Sequence, residues 1–190
     1  MMELQERIIQ AAMEEFNLHG IKFTMDQVAK KISISKKTIY TIFEDKKQLI
    51  IEMIESGFHN VKEAEQRILM DQSLDTVEKL SKVIIVIPEE YSKIDFSKLY
   101  ELKEKYPKLY QEVEKRIESD WEPTLQLFET GIAEGKIRPI NPIIFKGIIS
   151  GAMEEFISRD TLKKNQIAYQ EALEEMISII MNGIVIDKRG

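Results

Sequence analysis

Ser35-Lys36-Lys37-Thr38-Ile39-Tyr40-Thr41-Ile42-Phe43-Glu44-Asp45-Lys46-Lys47-Gln48-Leu49 is the stretch on which the fold turns. Ser35 is a good N-cap for a short helix that places Ile39, Ile42 and Phe43 on one side and Lys36, Lys37, Tyr40 and Thr41 on the other. Asp45, followed three residues on by Gln48, caps a longer fourth helix. Working backwards, Thr24-Met25-Asp26-Gln27 fits a capping box, with Val28, Ala29 and Ile32 as the inward face of a helix that ends by Ser33. Before it, Leu4, Ile8, Ala12 and Phe16, supported by Ile9 and Met13, stripe a first helix that stops near His19-Gly20, where glycine accepts a left-handed cap. Two short helices joined by a tight turn and packed on a longer one make a three-helix unit whose third helix fits a major groove.

Charge points the same way. The whole chain of 190 residues carries a net −6. Between Lys22 and Lys47, however, seven lysines face only Asp26, Glu44 and Asp45, a local +4 in an acidic protein. A solvated face is the plain alternative for such a run. The exposed side of the third helix argues against it, because ammonium, phenol and hydroxyl groups gathered there are the donors that phosphates and base edges require.

Beyond residue 50, apolar residues recur at the helical period, and Ser73, Asp95, Pro107 and Asn141-Pro142 read as starts, Pro88 and Gly135 as stops. The expectation is an all-α protein of about nine helices. Pro123, inside the stretch from Lys108 to Ala133, predicts a kink in one long helix. The N-terminal DNA-binding domain is placed at 1–48 and the larger remainder at 49–190, joined through the fourth helix with no flexible linker.

Several function classes fall away. The chain has no cysteine and two histidines, His19 and His59, and lacks a Gly-rich phosphate loop or nucleophile elbow, so neither an enzyme, a metal site nor a cofactor is expected. His19, beside the helix-ending glycine, reads as a C-terminal cap interaction. The longest aliphatic run, Val83 to Ile87, is far short of a membrane span, no export signal is expected from Met1 to Ile9, and a reducing cytoplasm is the expected home. A helical adaptor that kept the fold without DNA binding is the competing reading.

Ile8-Ile9-Gln10-Ala11-Ala12, Phe16, Gly20, Thr24, Val28-Ala29 and the stretch Ser35 to Leu49 closely resemble the signature of the TetR family. The resemblance spans about 45 residues and implies a homodimeric transcriptional regulator, by family default a ligand-relieved repressor of a palindromic, double-stranded operator. It implies phosphate contacts at Thr24, Thr38, Tyr40 and Lys46, and base contacts from Lys36, Lys37 and Thr41. Thr24 is an N-cap in any case, and Thr38 has its own helix backbone as an alternative partner. Two positions depart from the family: Ser33 stands where a turn glycine is usual, and Ile42 where a second aromatic or histidine often follows the tyrosine.

Residues 51–190 resemble the family loosely, Gly131 to Pro139 forming a familiar turn before the last two helices. By that resemblance these helices pair with their copies as a four-helix bundle. The candidate dimer residues are Phe145, Ile148, Gly151, Ala152 and Phe156 on one helix, with Ala172, Met176 and Ile179 on the next; an intramolecular core is the alternative. For a small-molecule effector, the aromatic-rich stretch offers Tyr100, Trp121 and Phe128 as pocket candidates. Glu101 and Glu122 would suit a lipophilic cation or simply face water.

Overall fold

The computed structural model of the protein describes residues 3–91 and 95–186. Its head consists of α1 (Leu4–His19), a single 3-10 turn (Gly20–Lys22), α2 (Met25–Lys31) and α3 (Lys36–Tyr40). The expected stripe on α1 is buried: Ile8, Ala12 and Phe16 meet Val28 and Ala29 of α2, Ile39 of α3 and Phe43 beyond it. α3 is short because its polar sequence offers only Ile39 as a fully buried anchor, and the chain turns at Thr41-Ile42 to bury Phe43. Serine replaces glycine in the α2–α3 turn at a cost in backbone comfort, since Ser33 sits at φ 58°.

α4 (Lys46–Met70) is the spine on which the head and the rest of the chain both pack. It is followed by α5 (Thr76–Ile85), 3-10 turns at Glu89–Tyr91 and Phe96–Leu99, α6 (Tyr100–Lys105), α7 (Pro107–Glu118), α8 (Glu122–Ala133), α9 (Pro142–Ser158), α10 (Thr161–Lys164) and α11 (Tyr169–Ile184). The all-α expectation holds. The described residues contain eleven α-helical segments where about nine were expected, the excess coming from the short α10 and the division between α7 and α8. α5 starts at Asp75, whose Oδ1 accepts from the Val77 and Glu78 amides at 2.9 Å, two residues later than Ser73, which is bonded to Asp71.

The kink expected at Pro123 is instead a break. α7 ends at Glu118, Asp120 turns the chain at φ 57°, and α8 begins at Glu122 with the proline in its first turn. There the missing N–H has no intrahelical acceptor to disappoint, so proline starts this helix and does not distort it.

Two apolar clusters fill the molecule. One joins the head and the start of α4 to Tyr91, Leu102, Leu109, Tyr110, Val113 and Ile157. The other is built by α5, α8, α9 and α11, with the Phe128 and Phe145 rings stacked at 4.1 Å. The head is therefore seated on the body by shared core, and the seat is locked at Gly20. This residue takes φ 57° and ψ −151°, a region reserved in practice for glycine. An added Cβ would stand 2.1 Å from Glu101 Oε2, the same atom that accepts the Ile21 amide at 2.9 Å. Gly20→Ala is expected to cost about 2 kcal/mol from backbone strain and from displacement of Glu101, read as a lowered urea midpoint; an unchanged midpoint would mean the seat is not needed for stability.

Candidate nucleic-acid interface and effector cavity

The local structure of the head follows from caps. Thr24 Oγ1 accepts the Gln27 amide at 3.2 Å while Gln27 Oε1 takes the Thr24 amide at 2.7 Å. Ser35 Oγ accepts the Thr38 amide at 3.0 Å, and Asp45 Oδ1 the Gln48 amide at 2.8 Å. With three helix starts fixed, α3 is held by Ile39 and shows its other side to solvent. Lys37 and Thr41 are exposed, Tyr40 retains 45% of its surface, and Thr24 is exposed at the start of α2. Thr38 is half-buried, its hydroxyl 2.8 Å from that of Ser35, and Thr41 Oγ1 donates to the Thr38 carbonyl at 2.6 Å.

The lysines divide into engaged and free. Lys31 pairs with Glu14 at 2.9 Å and with buried Glu15 at 3.2 Å. Lys36 pairs with Asp26 at 2.8 Å, and the hydrogen bond to that carboxylate raises its pKa. Lys46 departs most from its expected phosphate-contacting position: half-buried, it donates to the carbonyls of Ile21, at 2.6 Å, and Phe23, and lies 4.1 Å above the Phe23 ring. Burial, and after it the charge of Lys105, presses its pKa down to about 8, while the two carbonyls and the ring face hold its proton. Lys22, Lys30, Lys37 and Lys47 are exposed and have no ion-pair partner among the described residues. Of these, Lys22, Lys30 and Lys47 were not singled out from sequence; they are visible there only as members of a charge run.

Below the head lies a cavity of about 220 Å³ between α4, α5, α7 and the ends of α9 and α11. Of the three candidates, Trp121 lines it and the other two do not. Phe128 is fully buried in the second core against Phe145, and Tyr100 is half-buried on α6, away from the lining. Helical spacing brought all three forward and does not distinguish a ring packed between helices from one facing a void. The wall is formed instead by Phe58 of α4, the Val83–Ile87 run, Tyr91, Phe96 and Tyr169, together with Met13 and Phe16 of the head.

The dimer candidates divide similarly. Phe145 and Met176 belong to the chain's own second core and Ala172 is buried, whereas Ile148 keeps 56% and Ile179 70% of its surface, Gly151 is exposed, and Ala152 and Phe156 are half-buried. His19 faces Glu15 one turn back at 3.4 Å and does not cap the helix end. Among the described residues no group of three His, Cys, Asp or Glu is arranged to hold a metal ion, and no helix is long and apolar enough to cross a membrane.

A capped three-helix head with a short helix presenting lysine, phenol and hydroxyl to solvent is the DNA-binding unit of a helix-turn-helix transcriptional regulator. The sequence profile of the bacterial regulatory proteins of the tetR family matches residues 8–53, the head and the start of α4. The chain is 26% identical over 185 residues to the HTH-type transcriptional regulator YvaF of Bacillus subtilis (strain 168), covering 97% of each chain. Its fold matches that of a transcriptional regulator of Saccharomonospora viridis solved in complex with choline (TM-score 0.71, 13% identity, 96% of this chain and 98% of that one). It also matches the fatty acid degradation regulator FadR of Bacillus halodurans (TM-score 0.66, 16% identity, 96% and 97% covered).

Asp26 restrains one cation of the exposed edge. Asp26→Asn is expected to release Lys36, tighten DNA binding similarly for all sequences and steepen the salt dependence by about one unit, measured by titrations at several salt concentrations. Unchanged salt dependence would place Lys36 outside the interface.

Proposed function

We propose that the chain is a ligand-relieved repressor that binds a palindromic operator as a homodimer, with residues 1–48 reading DNA and 49–190 binding the ligand and the second copy. The observation that carries the reading is the exposed polar edge of α3 on a head whose apolar side is fully packed. Thr24, Thr38 and Tyr40 contact phosphates, Lys37 and Thr41 read bases, and Lys36 joins them once it leaves Asp26. Lys46 serves the operator indirectly, holding the Gly20–Phe23 turn against the start of α4.

Dimerisation is supported by exposed apolar residues on two helices that pack on each other. Ile144 and Ile148 of α9 and Ile179 of α11 are exposed, and Gly147, Gly151 and Gly183 have nothing within 4 Å of where a Cβ would stand. Such residues, backed by their own core, suit a second copy packing as a four-helix bundle. Two heads then match half-sites about one or more helical turns apart, and a ligand favouring another head spacing loosens the DNA. The solved relatives argue for a small-molecule effector of unfixed chemistry, one being named for fatty acid degradation and another holding choline. The natural setting is the cytoplasm, where the DNA is.

Selection of bound genomic fragments, followed by compound screening for release, tests the whole reading; recovery of no enriched site would overturn it. On a selected site, Tyr40→Phe is expected to weaken binding several-fold for every sequence variant, whereas Lys37→Ala changes the ranking of variants at particular base pairs. Ile148→Glu should convert the dimer to a monomer in light scattering while leaving the far-ultraviolet spectrum intact, because the introduced carboxylates would be buried without a partner. A dimer that survives this change would move the interface elsewhere.

A further inference from the structure

We propose that the cavity takes an uncharged, largely apolar molecule carrying a ketone or ester oxygen, which accepts hydrogen bonds from the hydroxyls of Thr124 and Tyr169. The inference rests on the regulator reading above and names the chemistry of its effector.

The wall offers no free cation and no buried free anion. Lys62 pairs with Glu65 at 2.8 Å and also donates to the Asp120 carbonyl at 3.3 Å, while Arg116 pairs with Glu55 at 2.5 Å. Asp120 is the remaining lining carboxylate, and it stands exposed at the α7–α8 turn. That end of the cavity is therefore net negative and turns an anionic group away. A cationic group gains little there either, because a carboxylate facing water attracts far more weakly than burial beside an apolar wall repels. Charge of either sign is thus disfavoured, and an uncharged molecule remains.

Two hydroxyls are left without partners. Among the other polar lining groups, the Tyr91 hydroxyl accepts from Asn60, Ser119 Oγ donates to the Arg116 carbonyl at 3.1 Å, and Trp121 Nε1 donates to the Ile117 carbonyl at 2.8 Å. Thr124, in the first turn of α8, and Tyr169, at the start of α11, also line the cavity, and neither side chain has a hydrogen bond among the described residues. Thr124 keeps only 8% of its surface. Tyr169 packs on Phe96 with ring centroids 5.7 Å apart, and burial raises its pKa, so it stays protonated and able to donate. A hydroxyl shut away from water with no partner has lost its solvation and gained nothing, and a carbonyl oxygen restores the bond without bringing a charge. The apolar remainder of the ligand has a long surface to cover: from Met53 to Glu65 the wall follows α4 for about 18 Å. Met53 and Gly57 mark the end nearest the head, a Cβ on Gly57 lying 3.9 Å from Met13 Cε.

Trp121 is the chain's one tryptophan and lines the cavity, so its fluorescence reports occupancy. The test titrates the full-length protein with 2-decanone, decanoate, decyltrimethylammonium and n-butylbenzene, the two ions below micelle-forming concentrations. 2-Decanone should bind at least roughly tenfold more tightly than either ion. The double variant Thr124→Val with Tyr169→Phe removes two oxygens and little volume; it should weaken 2-decanone about tenfold and leave n-butylbenzene, which accepts no strong hydrogen bond, unchanged. Equal or tighter binding of decanoate would overturn the proposal, as would equal or tighter binding of the ammonium, which would make Asp120 a counter-ion. So would absence of 2-decanone binding, a double variant that binds 2-decanone as the parent does, or one that weakens both uncharged probes alike. Because the titration requires no DNA, 2-decanone binding without DNA binding would sink the repressor reading alone, and DNA binding without 2-decanone binding would sink this one alone.

Discussion

The end of α1 leaves backbone groups that a helix cannot satisfy, and their satisfaction by charged side chains from distant segments is the constraint on which the molecule depends. The Ile21 amide finds Glu101 of α6; the Ile21 and Phe23 carbonyls find Lys46 of α4; the Asn17 carbonyl finds Lys98, just before α6. None of these partners lies within the three helices of the head. The turn between α1 and α2 is thus built correctly only when α4 and α6 are in place, and the orientation of α2 and α3 inherits that dependence. A head held by apolar contact alone would slide, because the hydrophobic effect has no direction; hydrogen bonds of fixed geometry remove that freedom.

How much of this was legible in the sequence depended on the range of the interaction concerned. Caps act over three residues, so Thr24 with Gln27, Ser35 with Thr38 and Asp45 with Gln48 could be read directly and were found bonded. Ser33 at positive φ was legible as a departure from glycine and remains one. Pro123 misled because proline's effect depends on whether it falls in a first turn or an interior, and the break at Asp120 has no signal in periodicity. Lys46 looked like any lysine at a helix start; its inward turn comes from the carbonyls of Ile21 and Phe23, more than twenty residues away.

The apolar positions of the body show the same limit more sharply. Phe128, Phe145, Ile148 and Ile179 all fit helical stripes, yet two are buried and two are largely exposed. A stripe wide enough to serve an intramolecular core and a second surface gives one pattern in sequence, and only packing separates its halves. The aromatics divide likewise: Trp121 faces the cavity while Phe128 lies in the core, seven residues apart and identical in period.

Met13 and Phe16 belong at once to the core of the head and to the wall of the cavity. In the proposed regulator this double membership sets what an effector must supply. Turning a population from one part in a hundred to its reverse requires about 5.5 kcal/mol of preference for one arrangement, and a ligand equally content with both shifts nothing. An apolar ligand has no charge with which to favour one head position, so its preference must come from methylenes buried in one arrangement and left uncovered in the other. At about 0.8 kcal/mol each, roughly seven must differ. A ligand confined to the space beside Trp121 would bury the same atoms wherever the head sits. One that reaches α1 ties its own burial to the position of Met13 and Phe16, and so acts on the helix against which α2 and α3 are packed.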